Sequence, residues 1–107
     1  MAENGNVACG KLITMYWRDI PAQVLARAGQ TNARRELTPR FQDAIDRAAM
    51  KCGARDTEAY LDGWRKGTSE ACGADLESVV EEAAAALEQA FNAERLKRLI
   101  AAGGLED

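Results

Sequence analysis

The spacing of hydrophobic positions changes near residue 38. Over 12–17, LITMYW, β-branched and aromatic residues dominate. A period of two puts Ile13, Met15 and Trp17 on one face and Leu12, Thr14 and Tyr16 on the other. Both faces are partly apolar, which predicts a well-covered strand. RDIP then interrupts the run: proline fixes φ and has no N–H for a ladder, so Asp19 to Pro21 reads as a turn or bulge. The next run, AQVLARA over 22–28, reads as a second strand with Val24, Ala26 and Ala28 on one side and Gln23, Leu25 and Arg27 on the other. Its alanines also suit a helix. GQTNARREL reads as a loop or hairpin connection into a third short extended piece at 33–37.

From residue 38 onward the period is helical. Thr38 is a natural N-cap and Pro39 takes the first helical position, where a missing N–H costs nothing. Phe41, Ile45, Ala48, Ala49 and Cys52 fall at spacings of three and four, forming an apolar stripe that Gly53 ends. On that stripe Cys52 is a small core residue. A second short helix starting at Asp56 or Thr57 is expected to bury Tyr60, Leu61 and Trp64. The stretch 63–73, GWRKGTSEACG, has three glycines and no helical stripe, so it reads as a loop with room for a short strand. Asp75 caps the longest helix, with Leu76, Val79, Val80, Ala83, Leu87, Ala90 and Phe91 at helical spacing. A closing helix with Leu96, Leu99 and Ile100 follows Asn92, and GGLED is expected to fray.

A hairpin followed by one-faced helices points to an α+β fold, a small antiparallel sheet of two to three strands covered on one side by about four helices. The expected organisation is a flexible tail over 1–10, a single domain over 11–102 and a loose end over 103–107. A length of 107 residues suits one compact domain that needs no disulfide or metal staple. Apolar residues make up 47% of the chain but aromatics only 6%, so Trp17, Phe41, Tyr60, Trp64 and Phe91 must carry much of the core.

Charge sharpens the picture. Residues 1–55 hold nine Lys/Arg against five Asp/Glu, and residues 56–107 hold five against twelve. The halves therefore attract each other, while the acidic overall balance argues against a general nucleic-acid binder. There is no histidine, and Cys9, Cys52 and Cys72 lie far apart without a CxxC. That excludes histidine bases, Ser/His and Cys/His nucleophile pairs and most zinc patterns, and no cofactor is implied. The odd cysteine count without a secretory signal fits a reducing cytoplasm, and no apolar run approaches a membrane span.

Trp17, Arg18 and Asp19 are the sharpest local feature. An indole beside a guanidinium and a carboxylate at a strand end can clasp an anionic or planar ligand; the favoured reading has Trp17 in the core, with Arg18 and Asp19 outward and Asp19 bonding N–H groups of the turn at Ile20-Pro21. Arg27, Arg34, Arg35 and Arg40 cluster in sequence, with Arg40 in the first turn of the helix from Pro39. They can bind an anion there, or pair with Glu77, Glu81, Glu82 and Glu88 on the long helix. Pairs such as Asp43 with Asp46, or Glu77 with Glu81, lie at helical spacing as solvated surface rather than as general acid and base. Cys72, ahead of a helix N-terminus, is the cysteine with the better case for a redox or ligand role.

Residues 11–66, from KLITMYWRDIPAQVLARAG through RRELTPRFQDAIDRAAM to AYLDGWRKG, resemble a small bacterial domain family named the virulence factor domain. The domain is also present in staphylococcal conserved virulence factor C, beside a NifU-like scaffold domain and helical repeats. The resemblance implies an accessory or interaction module and carries no catalytic residues. It also implies an association with corrinoid- and folate-dependent methyl transfer; this chain lacks the NifU-like part, so iron–sulfur assembly is not carried over. The expected function is a cytoplasmic, non-enzymatic domain that binds a protein partner through the strand-edge and arginine region 16–40. The alternative is a subunit that binds a small anion, or serves a methyl-transfer enzyme, through Trp17, Arg18, Arg34, Arg35 and Arg40. Arginines converging on a concave pocket without internal carboxylates favour a ligand; arginines lying flat beside a free sheet edge favour a partner.

Overall fold

The structure is a computed structural model and describes residues 10–54, 58–73 and 75–106. Strands β1 (Gly10–Trp17) and β2 (Ile20–Ala28) form an antiparallel hairpin, and β3 (Thr31–Glu36) pairs with β2 across the turn at Gly29. Gly29 has φ +61, the left-handed conformation such a tight connection requires.

Of the turn or bulge expected over Asp19 to Pro21, the turn falls one residue earlier, at Arg18–Asp19, closed by Trp17 opposite Ile20, and the proline marks the bulge. Pro21 lies inside β2 at a register shift: Met15 pairs with Gln23 and Tyr16 with Pro21, leaving Ala22 as the extra residue. The bulge breaks alternation within β2, where Ile20 and Pro21 are both buried. Leu12 and Trp17 lie on opposite faces of β1: Leu12, partly buried, packs against the core beside Ala26, and Trp17 is fully buried at the hairpin tip.

The fold is α+β, and its antiparallel sheet has five strands in the order β3-β2-β1-β4, with β5 also on β1. The two added strands come from the segment expected to be mostly loop. β4 (Trp64–Lys66) pairs with Met15–Trp17, and β5 (Glu70–Cys72) pairs with Gly10–Leu12. Each is three residues long, too short for alternation to register in the sequence. Gly67 joins them at close approach: its N–H donates to the Thr14 carbonyl at 2.7 Å, and a Cβ there would lie 2.8 Å from Cε1 of Tyr16.

Among the described residues four helices accompany the sheet: α1 (Pro39–Lys51), α2 (Glu58–Asp62), α3 (Leu76–Ala90) and α4 (Ala93–Ala101). α3 packs on β2 and β3, and α1 packs on α4. Val24, Ala26 and Ala33 from the sheet share one buried cluster with Leu76, Val80 and Ala84 of α3. The rings of Phe41 and Phe91 meet edge to face at 6.2 Å. Asp75 caps α3 by accepting from Ser78, and Asn92 caps α4 by accepting from the Arg95 N–H.

Several local expectations change. Cys52 is exposed and not core, because it is the C-cap of α1, where the backbone leaves the helix and its stripe. Leu61 is 67% exposed, since the five-residue α2 is too short to turn every apolar side chain inward, while Tyr60 and Trp64 are partly buried. Cys72 lies in β5, partly buried, rather than in a loop. Gly10, the last residue of the tail expected over 1–10, begins β1 instead, and residues 1–9, with Cys9, lie outside the described residues, as do Asp56 and Thr57. Gly103 and Gly104 are buried instead of frayed. Among the described residues no helix is long and apolar enough to cross a membrane.

Candidate functional site

The hairpin tip holds the end of the chain. Trp17 is fully buried, and its indole Nε1–H donates to the Tyr60 carbonyl at 2.7 Å. Arg18, at φ 54, donates its backbone N–H to the Gly63 carbonyl at 2.7 Å and its guanidinium to the Gly103 carbonyl at 2.8 Å. Asp19 donates its N–H to the Gly104 carbonyl and accepts the Glu106 N–H at 2.7 Å, with Arg65 at 3.1 Å. Of the two readings of this trio, Trp17 is core, and Arg18 and Asp19 hold residues 103–106 and Arg65 of β4 in place of a ligand. Beside them a cleft of about 500 Å³ is lined by Tyr16, Asp19, Arg65, Arg95 and Glu106. Its arginines are neutralised from within, Arg65 by Asp19 and Arg95 by Glu106. Their mutual hydrogen bond holds the Glu106 carboxyl below its ordinary pKa and Arg95 above its own.

Arg40 is also committed to the fold. Its guanidinium donates to the Phe91 carbonyl at 2.7 Å and the Glu88 carbonyl at 2.6 Å, and pairs with the Glu88 carboxylate at 3.1 Å. Thus the guanidinium satisfies carbonyls that the end of α3 leaves unpaired. Arg35 reaches Glu81 of α3 at 3.9 Å, a looser and more exposed contact. Pairing with the acidic helix, one of the two readings of this cluster, is what these two arginines do. The carboxylates Asp43 and Asp46 are likewise occupied locally, by Arg47 and Gln42.

Arg27 and Arg34 are different. Alternation along β2 and β3 turns Val24, Ala26 and Ala33 toward α3, so Leu25, Arg27 and Arg34 project from the opposite face of the sheet. There they line a groove of about 870 Å³ together with Lys11, Ile13 and Lys66. Ile13 and Leu25 are cross-strand partners and supply its apolar part. Lys11 stands directly opposite Arg27, and Arg34 opposite Leu25. No side chain of these four cations makes an ion pair or hydrogen bond among the described residues.

Lys11 and Lys66 are absent from the sequence-based candidates. Lys11 had a legible signal, since the hairpin register sets it beside Arg27. Lys66 had none, because β4 itself was hidden. Chemically the groove offers cationic donors over an apolar floor, suited to carboxylates or phosphates on a partly apolar carrier. Among the described residues no group of three or more Cys, Asp or Glu side chains is placed to hold a metal ion.

A family model described as "Virulence factor" matches residues 15–100. No curated protein and no solved structure matches the chain.

Proposed function

This chain belongs to the virulence factor family, and from that premise we propose that it is a non-enzymatic accessory domain that binds an acidic partner protein on the open face of its sheet. One observation carries the reading: Lys11, Arg27, Arg34 and Lys66 line one groove without a carboxylate partner among the described residues. Arg18, Arg35, Arg40, Arg65 and Arg95 are all engaged internally. Like charges directly opposite across a strand pair, as Lys11 and Arg27 are, destabilise a sheet. Neutralisation from outside relieves that cost. Arginine and lysine are hydrogen-bond donors suited to carboxylates and phosphates, which supports an anion-binding role.

The test is affinity purification of the tagged protein from its native cytoplasm beside an Arg27→Glu/Arg34→Glu variant. A partner that co-elutes with the wild type, weakens with salt and disappears with the variant supports the reading. Equal recovery by both proteins, or no partner above background, overturns it.

A second reading draws support from the groove's size, which is that of a small-molecule site. In it the cations take a small polyanion, such as the carboxylate tail of a folate, and the domain serves a corrinoid- or folate-dependent methyl-transfer enzyme. Thermal shift against folates, corrinoids, nucleotides and phosphorylated metabolites tests this: a rise that Arg34→Ala removes favours it, and no rise with any of them removes it.

A further inference from the structure

β3 ends the strand order, so one side of its backbone has no strand beside it among the described residues. The phase of its hydrogen bonds says which residues face that side. The Leu37 N–H donates to the Ala22 carbonyl at 3.0 Å, and antiparallel pairs alternate between bonded and non-bonded. Following the register back, Arg35 with Val24, Ala33 with Ala26 and Thr31 with Ala28 are bonded pairs. Asn32, Arg34 and Glu36 therefore turn their N–H and C=O groups outward.

These residues also put their side chains on the face of the groove, which Asn32 and Arg34 line. A strand laid along the edge would bond to them, and its side chains opposite them would project onto the same face. β3 has no proline, and its pairing with β2 has no register shift, so two usual means of blunting an edge are missing. Its edge residues carry charges of opposite sign, Arg34 then Glu36, while the charged residues lining the groove, Arg34 included, are all cations.

We propose that the acidic partner enters as an extended segment added to the free edge of β3, with a carboxylate opposite Arg34 and none opposite Glu36. Backbone hydrogen bonds supply the docking, and Arg34, with Arg27 and Lys11 behind it, selects the acidic side chains. This rests on the reading that the groove receives an acidic partner, and adds the mode and register of binding.

The probe is a capped eight-residue peptide alternating threonine and valine, with one central threonine replaced by aspartate to stand opposite Arg34 and leave threonine opposite Glu36, followed by fluorescence anisotropy. Binding is expected to fall at least about tenfold, on the order of one lost net hydrogen bond, when the peptide amides facing β3 are N-methylated. Asn32→Pro deletes one outward N–H while leaving the ladder to β2 intact, and is expected to weaken binding similarly, with circular dichroism verifying its fold. Arg34→Glu should lose the aspartate peptide and accept the same peptide with lysine in place of the aspartate. Peptide binding that Arg27→Glu/Arg34→Glu abolishes but N-methylation leaves unchanged overturns strand addition while sparing the groove reading. No peptide binding also overturns strand addition, and the affinity purification then decides separately whether the groove has a partner.

Discussion

Glu88 of α3 caps the start of α1: its Oε2 accepts the Thr38 N–H at 2.7 Å and its Oε1 the Thr38 hydroxyl at 2.9 Å. In a local capping box the glutamate comes from the third position of the same helix. Here it comes from another helix, and the same carboxylate also holds Arg40. Thr38 is the N-cap, yet its side chain makes no cap hydrogen bond to α1 and is spent on Glu88 instead. The junction thereby ties the sheet's exit, the first turn of α1 and the end of α3 at one point.

Glu88→Ala is expected to destabilise the fold by about 2–3 kcal/mol, the range for charge-assisted hydrogen bonds in a partly buried setting. Arg47→Ala, which removes only an exposed i,i+4 pair with Asp43, should stay within about 0.5 kcal/mol. Urea unfolding followed by circular dichroism measures both. Equal losses would mean that the junction contributes no more than a surface pair.

The same carboxyl gives a pH dependence. Burial pushes the Glu88 pKa up, but the Thr38 N–H, the Thr38 hydroxyl and Arg40 outweigh it and hold the carboxyl below its ordinary value. A depressed folded pKa contributes stability that is present above the unfolded value and lost as pH falls through the folded one. Glu106, held down by Arg95, adds in the same direction. The melting temperature should therefore fall as pH drops below about 4.5, and more shallowly in Glu88→Gln. A variant that matches the wild-type slope throughout would refute the assignment.

What the sequence made legible was whatever repeats over several residues. The Phe41 to Ala49 stripe, the split of Val24 and Ala26 from Leu25 and Arg27, and the caps at Asp75 and Asn92 all stand in the structure. What it hid depends on partners remote in the chain. β4 and β5 exist because β1 offers them an edge, and three residues cannot display a period. Residues 103–106 looked like an end free to fray, because nothing local shows that Trp17, Arg18 and Asp19 hold them. Half of the candidate groove was visible as Arg27 and Arg34. Separating them from Arg35 and Arg40 required knowing which strand face meets α3.

Gly104 gives a sharp stability test. It has φ +96, and a Cβ there would stand 2.7 Å from Cζ3 of the buried Trp17. Gly104→Ala combines left-handed strain with overpacking and is expected to cost about 3 kcal/mol or more. Gly53 has φ +74 but open space around it, so Gly53→Ala should cost only about 1–2 kcal/mol of backbone strain. Thermal unfolding should rank the two well apart. A mild Gly104→Ala would mean that the C-terminal segment does not pack on the indole.

The free and the committed arginines should separate in the same assay. Arg40→Ala strips the guanidinium from two carbonyls and the Glu88 carboxylate, and is expected to cost about 2–3 kcal/mol. Arg34→Ala removes no hydrogen bond or ion pair among the described residues and should change stability by less than about 0.5 kcal/mol. Arg27→Ala should be neutral or slightly stabilising, because Lys11 then loses the like charge opposite it. If Arg27→Ala instead destabilises by more than about 1 kcal/mol, Arg27 has a partner inside the fold, and the groove loses the uncompensated charge on which its binding role depends.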